Sequence, residues 1–168
     1  MNVMDELCRR RRQVQELWLK RVLSEYPPET ARLLSASRDP FTNPAGRLLE
    51  EGAAQFVEAV FQDSGMQSVP VQFERLLQLR AVQGQPPSQA LRFLLQLRPA
   101  CRQVVADGDF AELDRRLDEA VLLALDCYLG HRERLAEVRI AELKRSCQSV
   151  LRRFRGDPEL SLEGEERS

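Results

Sequence analysis

The feature that most limits what this chain can fold into lies toward its carboxyl-terminal end. From Phe110 to Phe154 there is no proline, and apolar residues recur at helical spacing throughout. One helix of about 45 residues, rising about 1.5 Å per residue, would be roughly 68 Å long. A compact domain of this chain length has a radius of gyration of about 15 Å and a diameter nearer ~40 Å. Such a domain cannot bury the rod along its whole length. A straight final helix must therefore protrude, bend or pair with a second copy.

The apolar stripe on this helix changes face along its length. Leu113, Leu117, Val121, Ala124, Tyr128, His131, Leu135 and Val138 make one seam at steps of three and four. A second seam, displaced from the first, runs through Ala136, Ile140, Leu143, Cys147, Val150 and Phe154. The first is expected to pack on the domain. The second is expected to be a dimer or partner interface, since steps of four and three align with a facing helix. Two heptads with a cysteine among them make only a weak coiled coil, and the alternative is a helix folded back on its own domain. From Gly156 to Ser168 the chain carries five acids and one arginine with little to bury, so a disordered acidic tail is expected over 156–168.

Upstream, helix signals are dense and strand signals nearly absent. Leu7, Val14, Trp18 and Val22 share a face between Asp5 and Tyr26, ended by Pro27-Pro28. A short helix over Glu29–Ser35 would use Ala31, Leu33 and Leu34 as its contacts. Asn43-Pro44 reads as an N-cap followed by proline at the first helical position. The helix it opens runs to about Asp63, and Gly52 within it marks a close helix approach. Pro70 opens another helix, which stops near Gly84. A leucine-rich helix follows over Leu91–Asp107, kinked one turn before Pro99. Asp109 and Glu112 form an Asp-x-x-Glu start for the last helix. The expectation is an all-α, single-domain helical bundle over residues 1–155.

Charge and motifs exclude several function classes. The formal net charge is −1, and acids flank the Arg9–Arg12 run, so phosphate neutralisation is not expected and nucleic acid is not an expected partner. No apolar run approaches the roughly 18 residues that span a bilayer, and the start MNVMDELCRRRR reverses the order of a signal peptide. No membrane insertion and a cytoplasmic location are expected. Cys8, Cys101, Cys127 and Cys147 show no CxxC spacing and read as free thiols. There is no GxSxG elbow, no GxGxxG and no phosphate-binding loop, and the carboxylates fall in surface pairs with arginine. An enzyme is not expected, and no catalytic residue is assigned.

The single histidine, His131, follows Cys127 by four residues on one face. Two such ligands do not close a zinc site, and the nearest further cysteine in sequence is Cys101, so no metal is expected. His131 is the one weak candidate for a cofactor, as a proximal haem ligand in a helical bundle; the expectation is no cofactor. Trp18, Phe56, Phe73, Phe93 and Tyr128 are the candidate lining of a core ligand pocket.

Three stretches together carry a family resemblance: YPPETARLLSASRDPFTNPAG (Tyr26 to Gly46), LLQLRAVQGQPPSQALRFLLQLR (Leu76 to Arg98) and LDEAVLLALDCYLGHRERLAEVRIAELKR (Leu117 to Arg145). In order and spacing they resemble the RsbRD N-terminal domain, the sensor-like module of RsbT co-antagonist proteins in bacteria. The resemblance implies a globin-like fold without haem that dimerises and takes part in signal transduction. In co-antagonist proteins the last helix leads into a STAS domain, which carries the phosphorylated residues and engages the kinase. A stand-alone copy without that domain is expected here, so kinase antagonism and phosphorylation sites do not carry over. The expected function is a non-enzymatic, stress-sensor-like regulatory module acting through protein partners, foremost a homodimer. A small-molecule ligand of unknown identity is a further expectation. The alternatives are an adaptor of a redox or electron-transfer complex and a haem-binding globin-type sensor.

Overall fold

The computed structural model describes residues 2–36 and 41–155, and among them every regular element is a helix. The chain divides into two compact units, Met1–Arg132 and Glu133–Ser168. The expected tail over 156–168, and residues 37–40 of the loop after the third helix, lie outside the described residues.

The amino-terminal segment is not the single helix that its periodicity predicts. Helix α1 spans Val3–Arg9 and α2 spans Arg11–Ser24, with Arg10 between them at φ −102 and ψ 19. The interruption lets Val3, Met4 and Leu7 join the core beside Val14, Trp18 and Val22. Arg10 also donates to the Val104 carbonyl over 3.2 Å. Helix α2 ends ahead of the Pro27-Pro28 pair, and α3 (Pro28–Ser35) begins one residue before the expected start at Glu29, with Pro28 at its first position. No residue of α3 is buried and Leu33 is 71% exposed, against the expectation that it supplies apolar contacts.

The Asn43-Pro44 signal behaves as its chemistry dictates. The Asn43 side-chain oxygen accepts from the Gly46 amide over 2.9 Å, opening α4 (Pro44–Phe61). Its amide nitrogen donates to the Leu33 and Leu34 carbonyls, so one side chain ends α3 and starts α4. Gly52 is the close approach expected between helices. A Cβ there would stand 3.2 Å from the Gln72 carbonyl oxygen and 3.4 Å from the Phe73 Cα, both on α5 (Val71–Val82).

A short helix α6 (Pro87–Ala90) precedes the leucine-rich stretch, which is two short helices, α7 (Arg92–Leu95) and α8 (Leu97–Val104), where one was expected. The break between α7 and α8 falls at Gln96, one turn before Pro99, whose missing N–H cannot pair with the Leu95 carbonyl. Asp109 accepts from the Ala111 amide over 2.9 Å at the start of α9 (Ala111–Phe154). Glu112 is turned instead to Arg115 and Arg116.

In the first unit the core centres on four rings. Trp18 lies 5.7 Å from Phe56 and 5.9 Å from Phe93, and Phe73 lies 4.7 Å from Phe56. The Trp18 indole nitrogen donates to the Phe93 carbonyl over 2.8 Å, which satisfies the one polar atom in this cluster of side chains. Helix α9 buries Leu113, Leu117, Ala120, Ala124, Tyr128 and His131. Ala120 takes the buried position expected of Val121, which is only half-buried.

Candidate functional site

Helix α9 is one unbroken element of 44 residues, and its outer part carries the second seam. Ala136, Ile140, Leu143, Cys147, Val150 and Phe154 are all exposed. Leu143 is 65% and Phe154 85% exposed, and Val138 and Leu151 add to the same unit's uncovered apolar surface. Ordinary soluble surfaces expose such residues singly, whereas here they recur along one helix. A shallow depression lined by Ser146, Cys147, Val150 and Leu151 runs along it.

The five aromatic residues expected to line a core pocket are all buried. Four of the rings pack on one another. The Tyr128 hydroxyl donates to the Gln85 carbonyl. Open space lies beside this cluster: a cleft of about 400 Å³ reaches it at Phe93 and is otherwise lined by Val22, Glu25, Tyr26, Arg80, Gln85, Gln89 and Arg92. Arg80 is 6% exposed, with its guanidinium 4.3 Å over the Phe93 ring. It donates to the Ala90 carbonyl over 3.0 Å and to the Tyr26 hydroxyl over 2.6 Å. Burial pulls its pKa down, against the attraction of Tyr26 and Glu25. Apart from Phe93, none of these lining residues was singled out in the sequence as part of a site. An arginine within a leucine-rich helix is the signal that could have drawn attention to Arg80, but its burial is tertiary.

A second polar group sits on the inner face of α9. His131 is buried, and its Nε2 lies 3.4 Å from the Glu74 carboxylate of α5. Glu74, Cys127 and His131 each offer one ligand atom, and these three atoms lie within 4.8 Å of one another. Sequence spacing had paired Cys127 with His131 and looked to Cys101 for more. Cys101 is fully buried, and desolvation, with Asp114 adding to it, pushes its thiol up to about 12. Glu74 had not been considered, because nothing in the sequence places α5 against that turn of α9. The Nε2 of His131, the weak candidate for a proximal haem ligand, faces the Glu74 carboxylate.

Three arginines of the basic run have acidic neighbours. Arg9 and Arg10 pair with Glu6 at 3.0 and 2.5 Å, and Arg11 lies 3.8 Å from Glu58. No helix among the described residues is long and apolar enough to cross a membrane.

A family model described as the RsbT co-antagonist protein rsbRD N-terminal domain matches residues 12–143, from the first turn of α2 into the outer seam of α9. Comparison with curated proteins and with solved structures returned no match.

Proposed function

The chain belongs to the family of the RsbT co-antagonist protein rsbRD N-terminal domain, and from that premise we propose that it is a regulatory module that pairs with a second copy through the outer seam of α9. The family is one of signalling modules and not a known enzyme family. The observation that carries the pairing is the exposed row of Ile140, Leu143, Val150 and Phe154. Fully covering one such side chain is worth about 1.5–3 kcal/mol. Covering the row on two copies is therefore of the same order as an association cost of about 4–15 kcal/mol, and pairing is expected to depend on concentration.

The same helix carries the buried residues from Leu113 to His131, which supports a role for α9 as the link between the core and the interface. A ligand or partner that favours one packing of α9 would then bias the pairing, by no more than its difference in affinity for the two packings.

Sedimentation of the full chain across a range of concentrations tests the pairing. The natural chain is expected to shift from monomer to dimer, and the double substitution Ile140→Glu with Leu143→Glu to stay monomeric. A natural chain that remains monomeric at every concentration would end this reading. In that case, a single enzyme partner held in stoichiometric amount by the same seam would favour the adaptor role.

A further inference from the structure

We propose that Glu74, Cys127 and His131 form a divalent-metal site of the zinc class. Two of the ligands come from α9 at a spacing of four residues, which sets the thiol and the imidazole one turn apart on one face. The third comes from α5, whose Glu74 carboxylate reaches within 3.4 Å of the His131 Nε2. The three ligand atoms fall within a 4.8 Å span. Around a tetrahedral zinc ion with bonds of about 2.0–2.3 Å, ligand atoms stand about 3.3–3.8 Å apart. Closing that span to zinc geometry takes a shift of about 1 Å.

The donor set decides the ion. A thiolate with an imidazole is too soft for magnesium or calcium and suits zinc or a similar transition metal. Three protein ligands leave a fourth position for water or an incoming ligand. Glu74 is 46% exposed, which gives the ion a way in, whereas the imidazole is 8% exposed and held by packing. On binding, the Cys127 thiol gives its proton to solvent and its sulfur bonds the metal. A histidine–glutamate pair alone accounts for the 3.4 Å contact; the cysteine at the third corner is what points to a metal. An occupied site ties α5 to α9; that this tie biases pairing through the outer seam, unlike the site itself, rests on the regulatory reading above.

Cobalt(II) is the probe, because a cobalt–thiolate bond gives a charge-transfer band in the near ultraviolet that free cobalt lacks. The full chain, stripped with a chelator, is expected to take up one cobalt per chain with that band, and zinc is expected to displace it. Cys127→Ser is expected to abolish the band, and Glu74→Gln and His131→Gln to weaken cobalt binding at least tenfold, all with unchanged far-ultraviolet circular dichroism. Cys8→Ser with Cys147→Ser is expected to leave the band intact. Absence of the band in the natural chain would overturn the proposal, as would its survival in Cys127→Ser. Because the readout is spectroscopic, it stands or falls independently of dimerisation.

Discussion

Single side chains hold the helices of the first unit in register through backbone atoms more than through one another. Arg116 is the clearest case. It is 8% exposed, takes the Glu112 carboxylate over 2.6 Å, and donates to the Phe61 and Gln62 carbonyls at the end of α4. A cation there satisfies carbonyls that the helix leaves unpaired and suits the negative end of its dipole. Arg116→Met should therefore cost about 1.5–3 kcal/mol, read as a lower urea midpoint with an unchanged slope. Glu112 offers a pH test. Hydrogen bonds from Arg115 and then Arg116 hold its carboxyl down from 4.5 to about 2. A depressed carboxylate contributes its stability fully above about pH 4.5 and loses it as the pH falls toward 2. The Glu112 side-chain carbon resonance should accordingly titrate well below the ordinary carboxylate value of 4.5. In Glu112→Gln the acid-induced drop in melting temperature should shrink over that window.

Between elements, the contact of α4 with α5 depends on a missing side chain. Around the place where a Cβ at Gly52 would sit, the Leu76 side chain can turn aside, but the Gln72 carbonyl oxygen at 3.2 Å and the Phe73 Cα at 3.4 Å are backbone and cannot. Gly52→Leu is expected to destabilise the protein by about 1–3 kcal/mol, seen in thermal unfolding, despite leucine's better helix propensity. On α9 the flanks of the outer seam carry orientation. If two copies run parallel and in register, Arg139 beside Ile140 faces Lys144 of a second copy, a like-charge contact made twice. Lys144→Glu turns both contacts attractive. It should tighten a parallel dimer several-fold at low salt and leave an antiparallel one without that gain, as sedimentation would show.

For the whole molecule, the two units differ in what protects them. Residues up to Arg132 include every buried side chain among those described, while those from Glu133 to Phe154 are exposed apart from Leu135, which is half-buried. A helix without tertiary cover opens readily even when its backbone bonds are all made. In dilute protein, amides of 133–154 should exchange with deuterium much faster than those of Leu113–His131. At concentrations where dimer forms, protection should rise selectively at the seam. A uniform exchange rate along α9, independent of concentration, would contradict both the division and the pairing.

The all-helical class, the long last helix, the Asn43-Pro44 start and the Gly52 contact were legible in the sequence because each rests on local chemistry: periodicity, a cap, a fixed φ, an absent Cβ. The interruption at Arg10 and the exposure of Leu33 were not legible, since both depend on what neighbouring helices leave room for. Burial of Arg80 beneath a cleft and the meeting of Glu74 with Cys127 and His131 belong with them. Periodicity records which face of a helix is apolar; only packing decides which other helix meets that face, and therefore which polar groups become neighbours.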